Sequence, residues 1–495
     1  MTLPPGYYRL VEAQPDFFTL APGWIRKAAD ASRIGAALAG ELRMVVVPAL
    51  FSDSPDPPHT ASDIQRVYFD GPYVNGTLAE YYDEISGGRL QIVGEVVPWV
   101  RTSRDLAAVV GSSWGLGQDA QIGAYLTEAL GLVDSATDFG EFDNDGPDGI
   151  PNSGDDDGYV DAIAFEFAEV AASCGGPAIW PHRSTIRSRV GAPYATDDPT
   201  PAGPTIRIDG YTIQSVVTCD GSDIHTASTM AHELGHVLGL PDIRHHVGGI
   251  LPDQRRWLIG CFGLMSGGSW GCVGSTPAEW VGPSHMSPWE KLEMGWLGSV
   301  EIAPSVELTE IVLEPVQFSE QVLKVPLAGN EHLLIEFRDT IGFDHVLPAS
   351  GVLVYHIDPG RTIVPCSTCP EIYGVYLMEA DGRGDLLRTP REGGNRGEAS
   401  DMFAITGPGI LTNATVPSTR LNTGQKTDVR IRIVVEDGVA HVVISTAPFA
   451  IDRLLQSFLV TDADWLRQQE LEFLDDLGNR NGRYDVGDLR AYLNR

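Results

Sequence analysis

The segment Thr229–Asp242 constrains the fold of this chain more than any other, because it places two histidines one helical turn apart. His232 and His236 are four positions apart, so in a helix their side chains lie on the same face. Glu233 follows the first histidine, and Gly239 comes three positions after the second, where a positive φ can end a helix sharply. Two imidazoles at this spacing are typical ligands of one Zn²⁺, and the adjacent carboxylate is placed to act as a general base. The spacing therefore predicts a helix that ends near Gly239 and carries a zinc site.

A third ligand is expected from the chain just beyond this helix. After Gly239 the backbone can turn back towards the histidines, and Asp242 is the first metal-binding side chain in that stretch. His245 and His246 lie slightly further on and are the alternative. Three protein ligands leave one position of a tetrahedral zinc ion for water, as in catalytic sites. The competing interpretation is an ordinary helix with two hydrogen-bonded histidines, and the glycine and aspartate at these spacings argue against it.

These motifs resemble a known family. H-E-L-G-H-V-L-G-L-P-D, followed by the Gly/Ser-rich turn G-L-M-S-G-G-S-W at residues 263–270, resembles the immune inhibitor A-like metallopeptidases, which are secreted bacterial zinc endopeptidases of the metzincin type. The similarity extends over about residues 40–445. Shorter matching stretches are Phe51–Asp53, Leu78–Leu90, Ser287–Trp296, Leu334–Arg338, Gly351–Asp358 and Glu379–Gly382.

The resemblance implies roles for particular residues. His232, His236 and Asp242 would bind zinc, and Glu233 would act as the general base. Met265 would lie in a turn below the metal as an apolar floor, although a single methionine is more often ordinary core. There are two departures from the pattern. Many metzincins have histidine where this chain has Asp242, and some have tyrosine two positions after the methionine, where this chain has Gly267. Any donor that stabilises an oxyanion must then come from elsewhere.

Residues 143–161 are dense in carboxylates and contain several glycines. Ca²⁺ prefers hard oxygen ligands that converge on tight turns, and so many like charges would repel each other without a cation. The stretch resembles thrombospondin-type D-x-D-G-x-D-G sequences and does not fit a single EF-hand loop. A solvated acidic turn is the alternative. The candidate calcium ligands are Asp143, Asp145, Asp148, Asp155, Asp157 and Asp161.

The C-terminal stretch 476–488 resembles a dockerin-like half EF-hand. Leu477 occupies the first loop position, and Asp476 is one residue out of register. A capped helical hairpin with a polar turn is therefore an equal alternative. The candidate calcium ligands here are Asn479, Asn481, Asp485 and Asp488.

The pattern of apolar residues predicts an α+β chain in several parts. Residues 41–300 are expected to form the metallopeptidase domain, with a twisted mixed sheet over the active-site helix. Its clearest strand is the apolar run Leu42–Leu50, and Gln118–Val133 has the spacing of an amphipathic helix. Short alternating runs over residues 301–447 are typical of a β-rich, sandwich-like domain. A small helical tail follows at residues 448–495, and residues 1–40 are either the end of a pro-region or part of the mature enzyme.

Charge and composition limit the partners. Lys and Arg number 34 and Asp and Glu number 67, which gives a net charge of −33. Non-specific nucleic-acid binding is excluded, because it needs a basic face. No run of about 18 apolar residues predicts a transmembrane helix. The start of the chain lacks a basic stretch followed by an apolar one, and we expect a secreted protein whose signal peptide has been removed, with a cytosolic protein as the alternative.

The six cysteines predict an oxidising compartment. They form an even set at positions 174, 219, 261, 272, 366 and 369. We expect three disulfides, for example between Cys261 and Cys272, with buried thiols as the alternative. The Cys366-Ser-Thr-Cys369 stretch fits a small structural disulfide.

Together these features favour a secreted zinc endopeptidase that is stabilised by calcium. Its substrates would be proteins or peptides, and a monomer is expected. The alternative is a non-catalytic, calcium-dependent adhesion or binding protein with a structural zinc site. Glu233 argues against that alternative, because a structural zinc site has no use for an unligated carboxylate beside it.

Overall fold

The computed structural model describes residues 23–249, 251–272, 281–363, 372–405, 407–459 and 465–493. These residues divide into two compact units. The first unit contains the described residues up to Asp242, with His246–Arg255 and Cys261–Trp296. The second unit contains Ile243–His245, Arg256–Gly260 and the described residues from Leu297 onward. Within the described residues, no helix combines the length and apolarity needed to span a bilayer.

A six-stranded sheet forms the centre of the first unit. The strands between residues 40 and 256 are β1 (Gly40–Leu50), β2 (Leu90–Val96), β3 (Val100–Arg101), β4 (Ala162–Phe167), β5 (His182–Thr185), β6 (Tyr194–Pro199), β7 (Thr205–Ile208), β8 (Gly210–Ser215), β9 (His245–His246) and β10 (Arg255–Arg256). The order in the sheet is β2-β1-β4-β8-β5, with β3 paired to the end of β1. All of these strands run parallel except β5, which pairs antiparallel with β8 at the edge of the sheet. β6 and β7 form a separate antiparallel pair.

Helices cover both faces of this sheet, as parallel strands require. The helices of the first unit are α1 (Gly23–Ile34), α2 (Ala61–Gln65), α3 (Leu78–Ser86), α4 (Leu106–Val110), α5 (Ile122–Val133), α6 (Ile186–Val190), α7 (Ser228–Val237) and α8 (Pro288–Glu293). A π-helical turn, Arg66–Asp70, continues α2. α5 contributes Tyr125, Leu126 and Ala129 to the core on one face of the sheet. α7 lies on the other face, where the Thr212 hydroxyl of β8 contacts the sulfur of Met230.

Two β-sheets share one core in the second unit. Its strands are β11 (Gly298–Glu301), β12 (Thr309–Leu313), β13 (Gln321–Pro326), β14 (His332–Arg338), β15 (Gly351–Ile357), β16 (Val375–Leu377), β17 (Gly409–Leu411), β18 (Arg430–Glu436) and β19 (Val439–Ser445). The five-stranded sheet has the order β11-β13-β14-β15-β16, and the four-stranded sheet has the order β12-β19-β18-β17. Ile335 and Val354 from the first sheet and Ile431 and Val442 from the second are buried in one cluster, as in a β-sandwich.

The C-terminal helices pack on the second of these sheets. The helices of the second unit are α9 (Val316–Ser319), α10 (Ile451–Leu459), α11 (Gln468–Leu477) and α12 (Val486–Leu493). Leu454, Phe473 and Tyr492 from the last three helices form a buried cluster with Val443 of β19. Helices and several sheets are therefore present, which confirms the predicted α+β class.

Two disulfides link described cysteines. They join Cys174 to Cys219 and Cys261 to Cys272. The expected pairing of Cys261 with Cys272 is confirmed. Cys366 and Cys369 lie outside the described residues.

Glu166 is a fully buried acid in the central sheet. It lies on β4, and its Oε1 accepts hydrogen bonds from the Tyr68 hydroxyl at 2.6 Å and from Gln214 Nε2 at 2.9 Å. Burial raises the pKa of Glu166 to about 8, and the two hydrogen bonds act in the opposite direction. The folded protein therefore holds a proton on Glu166 at neutral pH.

This proton makes the stability of the first unit depend on pH. Between the ordinary pKa of 4.5 and about 8, the unfolded chain releases the proton and the folded chain keeps it. Stability should therefore fall with rising pH over this window, by at most about 1.4 kcal/mol per pH unit. Glu166→Gln should remove that loss, so that the variant gains stability relative to wild type between pH 5 and pH 8, as measured by urea unfolding. Glu95→Gln, at an exposed position of β2, is the matched control. A pH-independent difference between Glu166→Gln and wild type would contradict the assignment.

Candidate metal centre

α7 carries two histidines whose rings face a common point. The ring centroids of His232 and His236 are 4.9 Å apart. Oδ1 of Asp242 lies 3.1 Å from Nε2 of His232 and 3.8 Å from Nε2 of His236. One potential ligand atom from each of the three residues lies within 4.8 Å of the others. The structure thus brings together the three side chains that the sequence predicted as zinc ligands.

The end of α7 returns the chain to this point. The helix ends at Val237, and Gly239 has a φ of +99°, a conformation that favours glycine. The Gly239 N–H donates to the carbonyl of His236 at 3.1 Å, and the Leu240 N–H donates to the carbonyl of Gly235 at 3.0 Å. This reversal brings Asp242 back beside the histidines.

The alternative third ligands lie elsewhere. Nδ1 of His245 is 3.2 Å from the hydroxyl of Tyr373. Among the described residues, the cluster of potential ligand atoms at α7 contains Asp242 and neither His245 nor His246. The geometry thus favours the aspartate.

Backbone carbonyls fix both histidine rings. Nδ1 of His232 lies 3.0 Å from the carbonyl oxygen of Leu264, and Nδ1 of His236 lies 2.7 Å from that of Leu240. A carbonyl only accepts, so each Nδ1 carries the proton and each Nε2 presents its lone pair. Burial lowers the pKa of His236 to about 3, with the Asp242 carboxylate acting in the opposite direction. The ring is therefore neutral, which is the form that binds a metal. A set of two neutral imidazoles and one carboxylate fits Zn²⁺.

Met265 packs directly against α7. Its side chain is fully buried in the Gly263–Trp270 turn. A Cβ atom on Gly235, which lies between the two histidines, would be 2.5 Å from the Met265 sulfur. The Met265 N–H donates to Oε1 of Glu290 at 2.6 Å, which anchors the turn. Glycine at position 235 therefore permits the close approach of the thioether to the helix.

Glu233 is buried on α7 beside a cation that the sequence analysis missed. Arg183 of β5 pairs with Thr212 of β8, whose hydroxyl contacts α7, so both side chains point to the face that α7 covers. Burial lowers the pKa of Arg183 to about 9, and the nearby Glu233 carboxylate acts in the opposite direction. The sequence offered one indication of this residue, an arginine in a strand that has no acidic residue and no other arginine or lysine.

The neighbouring His182 contacts the Trp180 carbonyl at 2.6 Å and the Tyr211 hydroxyl at 3.2 Å, so its role is structural.

The acidic loop brings three of its six candidate ligands together. Asp143, Asp145 and Asp161 each offer a carboxylate oxygen within 4.8 Å of the others. Burial and the like charges of neighbouring aspartates raise the pKa of Asp143 to about 8. Its Oδ1 is buried and accepts no hydrogen bond from the part of the chain that the structure describes. Asp148, Asp155 and Asp157 lie outside this group of three, and Asp148 and Asp155 are exposed.

In the C-terminal turn, the carboxylate oxygens accept hydrogen bonds from other residues of the same turn. Asp485 accepts hydrogen bonds from the side-chain amides of Asn479 and Asn481 at 3.1 and 2.8 Å. Asp488 accepts from the backbone N–H groups of Asn479 and Asp485 at 2.8 and 2.7 Å. These are contacts of a capped hairpin, and calcium binding by these residues stays a prediction.

Comparison with known proteins supports the resemblance seen in the motifs. Residues 61–297 match the model of the immune inhibitor A peptidase M6 catalytic domain. The chain is 31% identical to immune inhibitor A of Bacillus thuringiensis subsp. alesti over 245 residues, which are 46% of this chain and 34% of that protein. It is 28% identical to the pre-pro-metalloprotease PrtV of Vibrio cholerae serotype O1 (strain M66-2) over 308 residues, which are 54% of this chain and 31% of that protein. The chain thus spans about a third of the length of these curated relatives.

The contact between Gly235 and Met265 can be tested by a double-mutant cycle. Gly235→Ala should destabilise the protein by about 1–3 kcal/mol, because the new methyl group overlaps the buried thioether. The same change should cost much less in the Met265→Ala background, where the sulfur is absent. Both are measured by urea unfolding. Gly131→Ala, at an exposed position of α5 with nothing closer than 3.7 Å to the new Cβ, is the control and should be neutral or stabilising. Equal effects of Gly235→Ala in both backgrounds would contradict the contact.

Proposed function

We propose that this chain is a secreted, zinc-dependent endopeptidase, because its residues 61–297 match the immune inhibitor A peptidase M6 catalytic domain. The observation that carries the proposal is the convergence of His232, His236 and Asp242, with ligand atoms within 4.8 Å of one another and Glu233 on the same helix. The description of the matching domain as a peptidase, and the name of one relative as a metalloprotease, support peptide-bond hydrolysis as the reaction. Protein or peptide chains are then the substrates.

In this proposal, His232, His236 and Asp242 hold the zinc ion. When bound, the ion supplies a Lewis acid that polarises the scissile carbonyl and activates water. The carbonyls of Leu264 and Leu240 keep both rings oriented with Nε2 towards the ion. The proposed arrangement is of the metzincin type, in which Met265 would form the apolar floor against α7.

Glu233 moves the proton in this proposal. Its carboxylate takes a proton from the attacking water and returns it to the nitrogen of the leaving amine. Arg183 lies within electrostatic reach of Glu233, and a nearby positive charge favours the ionised carboxylate that can accept a proton.

Secretion and calcium binding belong to the same proposal. Two disulfides favour an oxidising compartment outside the cytosol. The converging carboxylates of Asp143, Asp145 and Asp161 have like charges, and a bound Ca²⁺ ion would offset their repulsion.

Replacing the base should separate catalysis from metal binding. Glu233→Gln should lower the rate of hydrolysis of denatured casein by about 10²–10⁴-fold, because the amide cannot accept the proton. Its zinc content should stay equal to that of wild type. His236→Ala should lose both zinc and activity, and Glu95→Gln should keep both. Treatment of the wild type with 1,10-phenanthroline should abolish activity, and added Zn²⁺ should restore it. Wild-type turnover by Glu233→Gln would refute the role of Glu233.

Calcium should stabilise the folded chain through the group of three aspartates. In the Glu233→Gln background, which prevents self-digestion, added Ca²⁺ should raise the thermal unfolding midpoint, because it binds the folded state. Asp143→Asn should lose most of that increase. Asp148→Asn changes an exposed aspartate of the same loop outside the group, and it should respond as the parent does. An unchanged calcium response of Asp143→Asn would contradict the site.

A further inference from the structure

A second group of acids lies in the second unit, and two of its three members are buried. Glu379, Asp381 and Asp401 each offer a carboxylate oxygen, and the three oxygens lie within 4.8 Å of one another. Glu379 and Asp381 follow β16 in a turn, and Asp401 ends a short 3₁₀ turn before Phe403, which bridges to β15. The Ala380 N–H donates to the Asp401 carbonyl at 3.0 Å and joins the two turns. The sequence analysis did not identify these residues as ligands.

The two carboxylate oxygens of Asp401 differ in their surroundings. Its Oδ2 accepts a hydrogen bond from the Glu398 N–H at 2.8 Å. Its Oδ1 is buried and meets no hydrogen-bond donor among the residues that the structure describes. The residue is 1% exposed, so water does not replace the missing donor freely. A buried carboxylate oxygen without a donor is costly, and a bound cation would remove that cost.

Two backbone N–H groups fix the orientation of the Glu379 carboxylate. Its Oε2 and Oε1 accept the backbone N–H groups of Asp385 and Leu386 at 2.6 and 2.9 Å. Gly382 and Gly384 have φ values of +70° and +69° and allow the tight turn that carries Asp381. Each carboxylate oxygen has a second lone pair, so these hydrogen bonds leave capacity for a metal ion.

Arg383 does not neutralise all the acids of this group. Nε of Arg383 lies 2.7 Å from Oδ2 of Asp381 and 3.2 Å from Oδ2 of Asp385, and Arg383 also contacts Glu398. The Arg383 side chain is about half exposed, at 52%. Burial and the like charges of its neighbours raise the pKa of Asp401 to about 8, although Arg383 acts in the opposite direction. The guanidinium of Arg383 therefore pairs with Asp381, Asp385 and Glu398. Oδ1 of Asp401 has no donor among the described residues.

We propose that Glu379, Asp381 and Asp401 bind a structural Ca²⁺ ion. Ca²⁺ takes carboxylate oxygens at about 2.3–2.6 Å, so two oxygens bound to one ion lie at most about 5 Å apart. The three oxygens here, all within 4.8 Å of one another, satisfy that limit. A set of oxygen ligands alone disfavours softer metals such as Zn²⁺. The ion ties the turn after β16 to the turn that leads to β15, and so it stabilises the second unit. The site does not depend on peptidase activity.

The test uses the full chain with Glu233→Gln, stripped with EDTA and titrated with CaCl₂ by calorimetry. Asp401→Asn should lose one equivalent of bound Ca²⁺ relative to the parent. Asp428→Asn removes an exposed carboxylate from the same unit and should bind as the parent does. If the loop 143–161 also binds Ca²⁺, the double variant Asp143→Asn, Asp401→Asn should lose one more equivalent of bound Ca²⁺ than Asp401→Asn alone. Equal stoichiometry and affinity in Asp401→Asn and the parent would overturn the proposal, whatever the loop 143–161 does.

Thermal unfolding gives a second test, because the effect of Asp401→Asn on the unfolding temperature should change sign when Ca²⁺ is added. In EDTA, Asp401→Asn should unfold at the same temperature as the parent or higher, because it removes a carboxyl group whose ionisation is disfavoured by burial and by like charges, and it keeps an oxygen for the Glu398 N–H. In excess Ca²⁺ it should unfold at a lower temperature than the parent. An equal shift in both conditions would show a purely structural carboxylate and overturn the proposal. Should Asp401→Asn fail to fold, Asp381→Asn, at the most exposed of the three positions, should weaken calcium binding by at least about tenfold, and unchanged affinity would overturn the proposal.

Discussion

α7 ends at Val237, and the chain reverses through Gly239 at a φ of +99° so that Asp242 returns to the helix face that carries His232 and His236. The candidate metal centre depends on this reversal, because the helix alone supplies only two of the three ligands. A residue with a Cβ atom would be strained at this φ. The Leu240 carbonyl, which lies in the same reversal, also orients His236 through Nδ1. The same reversal of the backbone thus brings Asp242 to the site and orients the ring of His236.

The packing around α7 makes this arrangement rigid. Gly235 admits the Met265 sulfur against the helix, and the Leu264 carbonyl in the same turn orients His232. Oε1 of Glu290 in α8 accepts the Met265 N–H and holds the turn. On the other side, the Tyr82 hydroxyl of α3 donates to the Ala231 carbonyl of α7 at 2.7 Å. Backbone contacts therefore orient both histidine rings, which is the preorganisation that the proposed metal site requires.

Local sequence spacing was enough to predict the centre of this site and much of the fold. The three candidate ligands and Glu233 lie within one short segment, so helix periodicity and a single glycine turn determine their relation. The apolar run Leu42–Leu50 became the buried strand β1, because continuous apolar residues suit a parallel strand covered on both faces. The helix predicted over Gln118–Val133 became α5, and its core-facing residues are those at helical spacing.

Residues that act through long-range pairing could not be predicted in the same way. Arg183 reaches Glu233 because β5 joins the edge of the sheet beside β8, and no local pattern fixes that register. Asp401 lies 22 positions after Glu379, and only the fold joins their turns. In the loop 143–161, the density of carboxylates indicated a cation, yet the backbone path decides which three of the six converge. Sequence gives the number of ligands available, and tertiary structure selects among them.

The central claim is that two histidines of α7 and the aspartate after its turn hold one zinc ion. Anomalous diffraction from crystals of the Glu233→Gln protein, recorded above and below the zinc absorption edge, tests it most directly. The account predicts one strong zinc peak about 2.0–2.2 Å from Nε2 of His232, Nε2 of His236 and a carboxylate oxygen of Asp242. A peak at a different set of side chains, or no peak at α7 from crystals grown with added zinc, would contradict it.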